Sequence, residues 1–457
     1  MTRESELKTY YIKTFGCPMN ISDSENIERV LLHAGWKKAK YMHNAKLIVI
    51  NTCSVRKKSE DKVFGLAETI KSIKRKSTKK KYPIVIVTGC MVKREVRGPK
   101  LLKESLIKAE RETLKKLSKW ADYSLDIEQA KKLISKIAGQ QKNKVYVNPQ
   151  KITALVPISF GCDNFCTYCV VPYTRGPLIN RKYSEIMHDV KEAIKNGKKE
   201  IILLGQNVNS WKGKTGTKDL DFSDLLQKID KLKGNFWVRF TSSHPKDISE
   251  RLIETIAKSR HITPWIHIAL QSGSNRVLRK MNRNYTAEQF IEKVRLIRKK
   301  VPHASITTDI IVGFPEESEK DFRETLKVFK ICKFDMAYIA KYSPRPGTVA
   351  GELMKDNIPE EIKSERLKEL TKLLKETNRK RNMLLIGKTV MVLTDKHVRR
   401  KGKIYTIGKT STNKDIELVG FIQTGKFVKA KVTGSSIFSL KGKIIKMVKG
   451  GKEESQD

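Results

Sequence analysis

Three short apolar runs in the first ninety residues each end in a cysteine, and they constrain the fold of this chain more than any other feature. The runs are YYIKTFGC, LIVINTC and IVIVTGC, and they end at Cys17, Cys53 and Cys90. Helical stretches separate them, and this alternation predicts a parallel, Rossmann-like α/β sheet. Because ligand sites form at the carboxyl ends of parallel strands, we expect the three thiols to converge there. Three unrelated buried cysteines are the alternative.

The stretch between the first two runs indicates how the strands connect. SDSENIERVLLHAG has apolar residues at helical spacing. Ser22 or Asp23 is expected to cap the start of this helix, and Gly35 its end. A helix here provides the crossover connection that two parallel strands need.

A second set of cysteines has a compact spacing. Cys162, Cys166 and Cys169 lie in SFGCDNFCTYCVVPYTRG, with three residues between the first pair and two between the second. Three thiolates can hold a four-iron cluster and leave one iron open to bind a small molecule. Zinc is the alternative, but zinc usually takes a fourth Cys or His at a defined spacing. We therefore expect a 4Fe-4S cluster at each triad.

The bulk composition sets further limits. The 457 residues are too many for one core, so two to four domains are expected. Lys and Arg total 94 against 49 Asp and Glu, which gives a formal charge of +45. A Lys-rich, well-solvated surface that reflects biased codon usage is one explanation. A polyanionic partner is the other, because basic surfaces gain from displacing phosphate counterions; charge alone does not separate RNA, DNA and anionic membranes.

The sequence also predicts a compartment. No apolar run approaches the roughly 20 residues that span a bilayer, and the N-terminus, MTRESELK, lacks the apolar segment of a secretion signal. We therefore expect a cytoplasmic protein without membrane association. In a reducing compartment, cysteines are more often metal ligands than disulfides. The seventh cysteine, Cys332 in KVFKICKF, is expected to be a buried helical residue.

Strand–helix alternation resumes between about Ile152 and Pro346. Six βα units are expected, which suits a partial (β/α)6, TIM-like barrel with its site at the strand C-terminal ends. Cys162 follows the first of these strands directly. The predicted strands are ITALVPISF, EIILLGQNV, FWVRFTSS, WIHIALQSG, SITTDIIVGF and FDMAYIAKYS.

The C-terminal part has a different pattern. One or two helices are expected from Pro359 to Ile386, followed by closely spaced short strands and turn residues that predict a small, basic antiparallel β-barrel. The chain is thus expected to be a multidomain α/β protein. Its predicted parts are an N-terminal domain with a helical connector (1–135), a barrel domain (150–384), the β-barrel (385–447) and a disordered tail (448–457).

These features resemble a known family. The compact triad and the predicted barrel are similar to those of radical S-adenosylmethionine enzymes, and the upstream triad and C-terminal barrel to those of the methylthiotransferases among them. The likeness covers nearly the whole chain and is strongest to MiaB-type tRNA methylthiotransferases, whose C-terminal barrel is a TRAM domain. The segments that carry it are KTFGCPMNISDSE, NTCSVRKKSEDKVFG, GCDNFCTYCVVPYTRG, LLGQNVNSW, RFTSSHP, LQSGSNRVL and DIIVGFPEESEKDF.

The resemblance implies a reaction. A methylthio group would join C2 of N6-isopentenyladenosine at position 37 of tRNA, next to the anticodon. The cluster on the compact triad would cleave S-adenosylmethionine, and the resulting radical would remove the C2 hydrogen. The cluster on Cys17, Cys53 and Cys90 would carry the sulfur. The implied cofactors are two 4Fe-4S clusters and S-adenosylmethionine. The implied partners of a monomeric enzyme are the tRNA anticodon stem-loop, a reducing electron donor and a sulfur source.

Further site residues are implied by position in the same segments. Tyr168 would shield the radical cluster, and Gly205 and Gln206 would contact the amino-acid part of S-adenosylmethionine. Gln271 lies at another predicted strand end. For each of these residues an ordinary turn role is the alternative. The family segment near the adenine of S-adenosylmethionine corresponds to Asp309, Ile311 and Gly313.

Basic residues complete the candidate site. Arg175 is expected to meet substrate phosphate or to pair with a carboxylate near the cluster. Phosphate contacts are also expected from the run DKHVRRKGK in the C-terminal barrel. His244 and His267 are expected to be structural. The barrel residues proposed for RNA are Lys396, Arg399, Arg400 and Lys401.

Two alternative functions remain open from the sequence. One is methylthiolation of N6-threonylcarbamoyladenosine in tRNA, or of a ribosomal protein, by the same chemistry. The other is a basic RNA-binding protein whose clusters are structural or redox-sensing, which would not cleave S-adenosylmethionine.

Overall fold

The computed structural model describes residues 8–54, 57–77, 83–92, 100–139 and 151–448. The chain forms two compact units, each built from discontinuous segments. The first unit comprises Met1–Asn148, Phe160–Ile179 and Ser343–Met354, and the second comprises Pro149–Ser159, Asn180–Tyr342 and Lys355–Asp457. The expected tail beyond residue 448 and residues 140–150, where the expected barrel domain begins, lie outside the described residues.

The elements are numbered along the chain. The strands are β1 (Thr9–Thr14), β2 (Lys37–Lys38), β3 (Leu47–Thr52), β4 (Ile84–Gly89), β5 (Tyr123–Ser124), β6 (Thr153–Pro157), β7 (Ser159–Phe160), β8 (Ile179–Asn180), β9 (Glu200–Leu204), β10 (Lys212–Thr215), β11 (Lys218–Asp221), β12 (Trp237–Phe240), β13 (Trp265–His267), β14 (Ser305–Val312), β15 (Met336–Lys341), β16 (Thr389–Arg400), β17 (Lys403–Thr410), β18 (Asp415–Val419), β19 (Phe427–Ser435) and β20 (Ser439–Met447). The helices are α1 (Pro18–His33), α2 (Lys57–Phe64), α3 (Ala67–Lys76), α4 (Lys100–Leu117), α5 (Ile127–Ala138), α6 (Val171–Thr174), α7 (Tyr183–Lys195), α8 (Phe222–Asp230), α9 (Glu250–Lys258), α10 (Asn275–Lys280), α11 (Ala287–Lys300), α12 (Glu319–Cys332), α13 (Val349–Leu353) and α14 (Glu360–Met383).

The first unit contains the predicted parallel sheet. Its strand order is β2-β1-β3-β4-β5, and every pairing is parallel. This is a doubly wound order in which the chain reverses direction across the sheet between β1 and β3, where ligands bind in such sheets. Cys17 and Cys53 follow those two strands, so the topology places both thiols at the switch point.

Apolar residues on both sheet faces explain why helices cover both sides. Ile48 and Val87 pack with residues of α2, α3 and α4 on one face. On the other face, Val49 and Ile86 pack with residues of α1 and α5. The β3 run LIVINT is buried at every position, as expected for a central parallel strand.

Two local expectations differ from the structure. The helix α1 begins at Pro18 rather than after Ser22 or Asp23. Its N-cap is Cys17, which has an extended backbone, and the side chain of Asn20 in the first turn bonds to Cys17 as in a capping box. The expected connector instead completes the domain, since β5 pairs with β4 and Ala130 and Ile134 of α5 lie in the core. Gly35 follows the end of α1 at φ +78, as expected.

The second unit contains the predicted six βα strands. They form two parallel sheets, β12-β9-β6 and β13-β14-β15. Single β-bridges, Val238 with Ile262 and Ser243 with Ile268, join the two sheets into one curved sequence of six strands. Helices α7 to α12 pack outside around one large apolar core. This is the expected partial (β/α)6 barrel.

The C-terminal strands close into a five-stranded barrel in the order β16-β17-β18-β20-β19. A buried arginine joins this barrel to the β9–β12 sheet of the same unit. Arg239 pairs with Glu200 at 2.7 Å and donates to the carbonyl oxygens of Thr410 and Ser411, each at 2.9 Å. Within the described ranges, no helix is both long and apolar enough to cross a bilayer.

Candidate iron–sulfur centres

The N-terminal thiols follow three neighbouring strands of the first unit. Cys53 and Cys90 are buried, whereas Cys17 is exposed. Backbone contacts bring their loops together, because the Cys90 amide donates to the carbonyl oxygen of Thr52 at 3.0 Å. None of the seven cysteines forms a disulfide. The structure therefore places this triad at one edge of the sheet, as the sequence predicts.

Glycines before two of these cysteines allow the close approach. Gly16 has φ +124, and a Cβ there would lie 2.7 Å from Cβ of Cys53. Gly89 has φ +96, and a Cβ there would lie 2.5 Å from Oδ1 of Asn51. Only glycine fits at both positions, because the backbone has a positive φ and a neighbouring atom occupies the place of a Cβ.

A pair of buried asparagines, Asn20 and Asn51, ties the loops to one another. Asn20 Nδ2 donates to Asn51 Oδ1 at 3.1 Å and to the carbonyl oxygen of Thr52 at 2.9 Å. Asn20 Oδ1 accepts from the amide and from the thiol of Cys17, both at 3.3 Å. Asn51 Nδ2 donates to the Asn20 carbonyl oxygen and to Ser24 Oγ. These bonds fix the Cys17 and Cys53 turns without any ligand.

Thr52 extends the same network to the third loop. Its hydroxyl donates to the carbonyl oxygen of Thr88 at 2.7 Å and accepts from the amide of Met91 at 3.3 Å. The sequence pattern did not identify Asn20, Asn51 and Thr52 as site residues. For Asn51 and Thr52 the available signal was their place as polar residues in the apolar run that ends at Cys53, whereas Asn20 lies outside these runs.

The compact triad lies on a closed loop of the same unit. The amide of Cys162 donates to the carbonyl oxygen of Gly176 at 3.2 Å, and the amide of Cys169 donates to that of Cys166 at 2.9 Å. Phe165 takes a left-handed conformation at φ 45 between the first two cysteines. Burial raises the pKa of the Cys162 thiol.

Aromatic side chains surround this loop. Tyr168, the predicted shield, is half-buried. Tyr173, which the sequence analysis did not select, is buried and packs edge-on against Phe165 at 6.4 Å between ring centroids. Burial and the neighbouring Cys169 both raise the pKa of its phenol. Tyr173 is thus a second candidate to exclude water from the triad.

The segment Ser343–Met354 ties this loop to the N-terminal sheet domain. The amide of Ala350 donates to the carbonyl oxygen of Thr167 at 2.8 Å. Arg345 pairs with Glu60 at 3.4 Å, and Glu60 in turn accepts from the hydroxyl of Ser54, next to Cys53. The segment Ser343–Met354 therefore contacts the surroundings of both triads.

Arg175 lies between the two triads. Its Nη1 is 3.1 Å from Oδ2 of Asp23, and both side chains are buried. Of the two expected roles, the structure shows the carboxylate pair; a phosphate contact remains a prediction. Burial acts to lower the pKa of the guanidinium, but the neighbouring Cys90, Asp23 and Cys17 side chains outweigh it and raise that pKa.

The residues predicted to contact S-adenosylmethionine lie in the second unit, along its strands or shortly after their ends. Gly205 and Gln206 follow β9, and a Cβ on Gly205 would lie 2.6 Å from Oγ of Ser159. Within the described residues, Ser159 Oγ and Gln206 Oε1 are buried without a hydrogen-bond partner. Two such orphaned polar atoms at one strand end fit a polar ligand.

The other predicted ligand contacts lie together along β14. Gln271 has a left-handed backbone conformation at φ 66. Its backbone N–H donates to the carbonyl oxygen of Asp309 at 2.8 Å, and the backbone N–H of Ile311 donates to the carbonyl oxygen of Gln271 at 3.0 Å. The amide of Gly313 donates to the carboxylate of Glu317 at 2.6 Å. The side chain of Asp309 is 41% exposed, so it remains accessible to a ligand.

Two histidines and the seventh cysteine have structural surroundings, as expected. Burial, with Arg283 and Lys246 nearby, lowers the pKa of His244 to about 2, so this side chain is neutral. His267 lies between Thr307 and Asp309. Cys332 is fully buried in α12, and burial raises its pKa to about 12.

The candidate RNA contacts lie at the end of β16 and in the turn that follows it. Lys396, Arg399, Arg400 and Lys401 are all exposed. Arg400 pairs with Glu417 at 2.7 Å. On the same barrel, Phe421 is 68% exposed and stacks on His397 at 4.4 Å between ring centroids. The sequence pattern did not single out Phe421 or His397.

The chemistry of each triad fits an iron–sulfur cluster. In the described part of the chain, no three His, Cys, Asp or Glu side chains lie close enough to share a single metal ion. Each triad offers three thiolates, the ligand set of a four-iron cluster with one open iron, whereas a structural zinc ion takes four ligands. The buried, unpaired Nη2 of Arg175 beside the N-terminal thiols also suits an anionic group.

Two protein-family models match the sequence. The Radical SAM superfamily model matches residues 156–329, which include the compact triad. The model described as Uncharacterized protein family UPF0004 matches residues 9–118, which include the other three cysteines. The two matches divide the triads between them.

Curated relatives cover nearly the whole chain, and each is named tRNA-2-methylthio-N(6)-dimethylallyladenosine synthase. The protein of Clostridium novyi is 37% identical, covering 96% of this chain and 97% of its own length. That of Caldicellulosiruptor saccharolyticus is 38% identical, with 96% and 93% covered. That of Bacteroides fragilis is 37% identical, with 95% of each covered. The chain therefore belongs to the tRNA-2-methylthio-N(6)-dimethylallyladenosine synthase family of radical S-adenosylmethionine methylthiotransferases.

Proposed function

We propose that this chain adds a methylthio group to C2 of N6-isopentenyladenosine at position 37 of tRNA, giving 2-methylthio-N6-isopentenyladenosine. One observation carries the proposal: two sets of three cysteines, none of them in a disulfide, lie in one compact unit. The names of the relatives favour this reaction over methylthiolation of N6-threonylcarbamoyladenosine or of a ribosomal protein.

The cysteines divide the two cluster-binding roles. Cys162, Cys166 and Cys169 hold the radical-generating cluster, and the N-terminal triad holds the sulfur-carrying cluster. When bound, these clusters and S-adenosylmethionine supply one-electron chemistry that breaks an unactivated C–H bond, together with the sulfur that replaces the hydrogen. Hydrogen bonds of Asn20 and Asn51 fix the turns that carry Cys17 and Cys53 before a cluster binds. Burial of Cys53 and Cys90 keeps water from their sulfur atoms.

The second unit supplies the contacts to S-adenosylmethionine in this proposal. Gly205 allows Ser159 Oγ to lie close beside the end of β9, and the orphaned Gln206 Oε1 and Ser159 Oγ can bond a polar group of the cofactor. Gln271, with the Asp309–Gly313 end of β14, forms the other contact region. S-adenosylmethionine has an amino-acid part and an adenosine part, and separate polar contacts to each part would hold the molecule in one orientation.

The C-terminal barrel supplies contacts to tRNA in this proposal. Its exposed cations are spaced along β16 and its turn, where they can contact successive phosphates. The exposed Phe421 offers an aromatic face on which an unpaired base of the anticodon stem-loop can stack. The excess of 94 basic over 49 acidic residues favours the same polyanionic partner.

The reaction also sets requirements outside the chain. A reducing electron donor and a source of sulfur are needed for each turnover. Both the tRNA substrate and a reducing environment for free thiols are found in the cytoplasm, which is where we place the enzyme. We propose that it acts as a monomer.

The direct test is anaerobic reaction of the reconstituted protein with isopentenylated tRNA, followed by nucleoside digestion and mass spectrometry. The expected product is 2-methylthio-N6-isopentenyladenosine. Cys166→Ala is expected to abolish 5′-deoxyadenosine formation. Cys53→Ala is expected to keep part of that cleavage but to stop sulfur insertion.

The outcomes separate the alternatives. Product formed only on N6-threonylcarbamoyladenosine tRNA, or on a ribosomal protein, would replace the proposed substrate. Absence of any S-adenosylmethionine cleavage in the loaded protein would favour a non-enzymatic iron–sulfur RNA-binding protein. Full product formation by Cys53→Ala would contradict the role of the N-terminal triad.

A further inference from the structure

Arg175 occupies a constrained position in the loop that holds the compact triad. It follows α6, and its amide donates to the carbonyl oxygen of Val171 at 2.9 Å. The next residue, Gly176, accepts from the amide of Cys162 and closes the loop. The place of Arg175 is therefore fixed by the same backbone that positions Cys162.

The side chain of Arg175 reaches the other triad of the same unit. Its guanidinium neighbours Cys90 and Cys17, and its Nη1 bonds Asp23 on α1 at 3.1 Å. Asp23 lies six positions after Cys17 on α1, the helix for which Cys17 is the N-cap. One arginine of the radical loop thus contacts the surroundings of the sulfur-carrying centre.

The hydrogen bonds of this guanidinium are incomplete. Within the described residues, Nη2 is buried and has no hydrogen-bond partner. A buried donor without a partner is destabilising because it has lost its hydrogen bonds to water, and the loss is larger for a charged group. A neutral thiol is a weak acceptor, whereas thiolates and sulfides of a bound cluster are anionic acceptors that hydrogen bonds stabilise.

We propose that Arg175 donates a hydrogen bond through Nη2 to a sulfur atom of the N-terminal cluster at its Cys90 corner, and that the Arg175–Asp23 pair sets the reduction potential of that cluster. This inference rests on the proposed function, because it requires a cluster on Cys17, Cys53 and Cys90. Reduction adds negative charge to the cluster. The guanidinium therefore stabilises the reduced form, and the Asp23 carboxylate opposes it.

The test measures the potential of each cluster by anaerobic redox titration with electron paramagnetic resonance. In the full chain carrying Cys162→Ala, Cys166→Ala and Cys169→Ala, only the N-terminal cluster remains. In that background, Arg175→Gln is expected to shift the midpoint potential to more negative values. Asp23→Asn is expected to shift it in the opposite direction, because it removes the opposing charge.

A matched background controls for general disturbance of the loop. In the chain carrying Cys17→Ala, Cys53→Ala and Cys90→Ala, only the radical cluster remains, and Arg175→Gln is expected to leave its potential unchanged. Equal shifts of both clusters would overturn the proposal. If Arg175→Gln does not fold or does not retain iron, Asp23→Asn provides the test. A shift of the midpoint potential to more positive values supports the proposal, and no shift or a negative shift overturns it.

Two further outcomes distinguish this inference from the function on which it rests. A loaded N-terminal cluster whose potential is the same in all variants would overturn only the role of Arg175. A chain with intact Arg175 that binds no iron at the N-terminal triad would overturn both the inference and the proposed function.

Discussion

The N-terminal centre depends on buried amide groups as much as on its thiols. Asn20 and Asn51 exchange hydrogen bonds with each other and with the backbone next to Cys17 and Cys53. Protein interiors seldom bury such groups unless they are fully bonded. The asparagine in LIVINTC was visible in the sequence as a polar residue in an apolar strand. Its partner was not, because the contact joins residues on a strand and a helix.

Replacement of Asn51 tests this network. Asn51→Ala is expected to cost about 2 kcal/mol of unfolding free energy, because it leaves buried partners of the amide unpaired. It is also expected to reduce the iron retained at the N-terminal triad. Chemical unfolding of the apoprotein and iron analysis measure the two effects.

An exposed asparagine provides the control for that substitution. Asn44 is exposed near the start of β3, and Asn44→Ala is expected to stay within about 0.5 kcal/mol of the parent chain. If Asn51→Ala were as mild as Asn44→Ala, the amide network would not be what fixes the thiols.

At the scale of elements, strand–helix alternation predicted the parallel sheet and the six βα units, and closely spaced short strands with turn residues predicted the small barrel. Both patterns predicted these elements because apolar periodicity is a local signal. The start of α1 was predicted wrongly, since a cysteine is not a usual N-cap and Asn20 supplies the capping interaction from inside the helix. Strand β5 was missed because two residues are too short to show a pattern.

The turn between β4 and Cys90 offers a prediction at this scale. Gly89→Ala places a Cβ against Asn51 Oδ1 and the carbonyl oxygen of Thr52 in a left-handed backbone conformation. We expect loss of the N-terminal cluster with retention of the radical cluster, so that iron per chain falls by about half. Iron and sulfide analysis of the reconstituted variant measures this.

A glycine with the same backbone handedness but open space is the matched control. Gly35 has φ +78 and no heavy atom within 4 Å of an added Cβ. Gly35→Ala is expected to lose about 1 kcal/mol of stability and no iron. Iron loss of the same size in both variants would show that backbone strain, rather than the contact with Asn51, disrupts the site.

At the scale of the whole molecule, the sequence did not reveal how distant segments combine. The residues 160–179 and 343–354 join the N-terminal sheet domain in one compact unit, although both lie inside the predicted barrel domain, 150–384. Contacts such as Arg345 with Glu60 join residues far apart in the chain, and local periodicity carries no signal for them. The division at residues 135 and 150 therefore remains a sequence-based prediction.

The attachment of the C-terminal barrel gives a prediction at this scale. Arg239→Met leaves the buried carboxylate of Glu200 without its cation and removes two bonds to the barrel backbone. A loss of about 3–5 kcal/mol is expected for a broken buried pair. Hydrogen exchange is expected to rise first in β16 and β17, as measured by mass spectrometry.

An exposed ion pair of the same unit is the comparison. Lys300 pairs with Glu254 at 2.9 Å at the surface, and Lys300→Met is expected to leave barrel exchange unchanged. If Arg239→Met left barrel exchange equally unchanged, the arginine would not be what holds the barrel.

The central claim is that each cysteine triad holds its own four-iron cluster. Anaerobic iron analysis with Mössbauer spectroscopy tests it most directly, on the parent chain and on the two triple-alanine variants of the triads. The account predicts about eight irons per parent chain and about four in each variant. About four irons in the parent chain, with zinc or no metal at Cys17, Cys53 and Cys90, would contradict it.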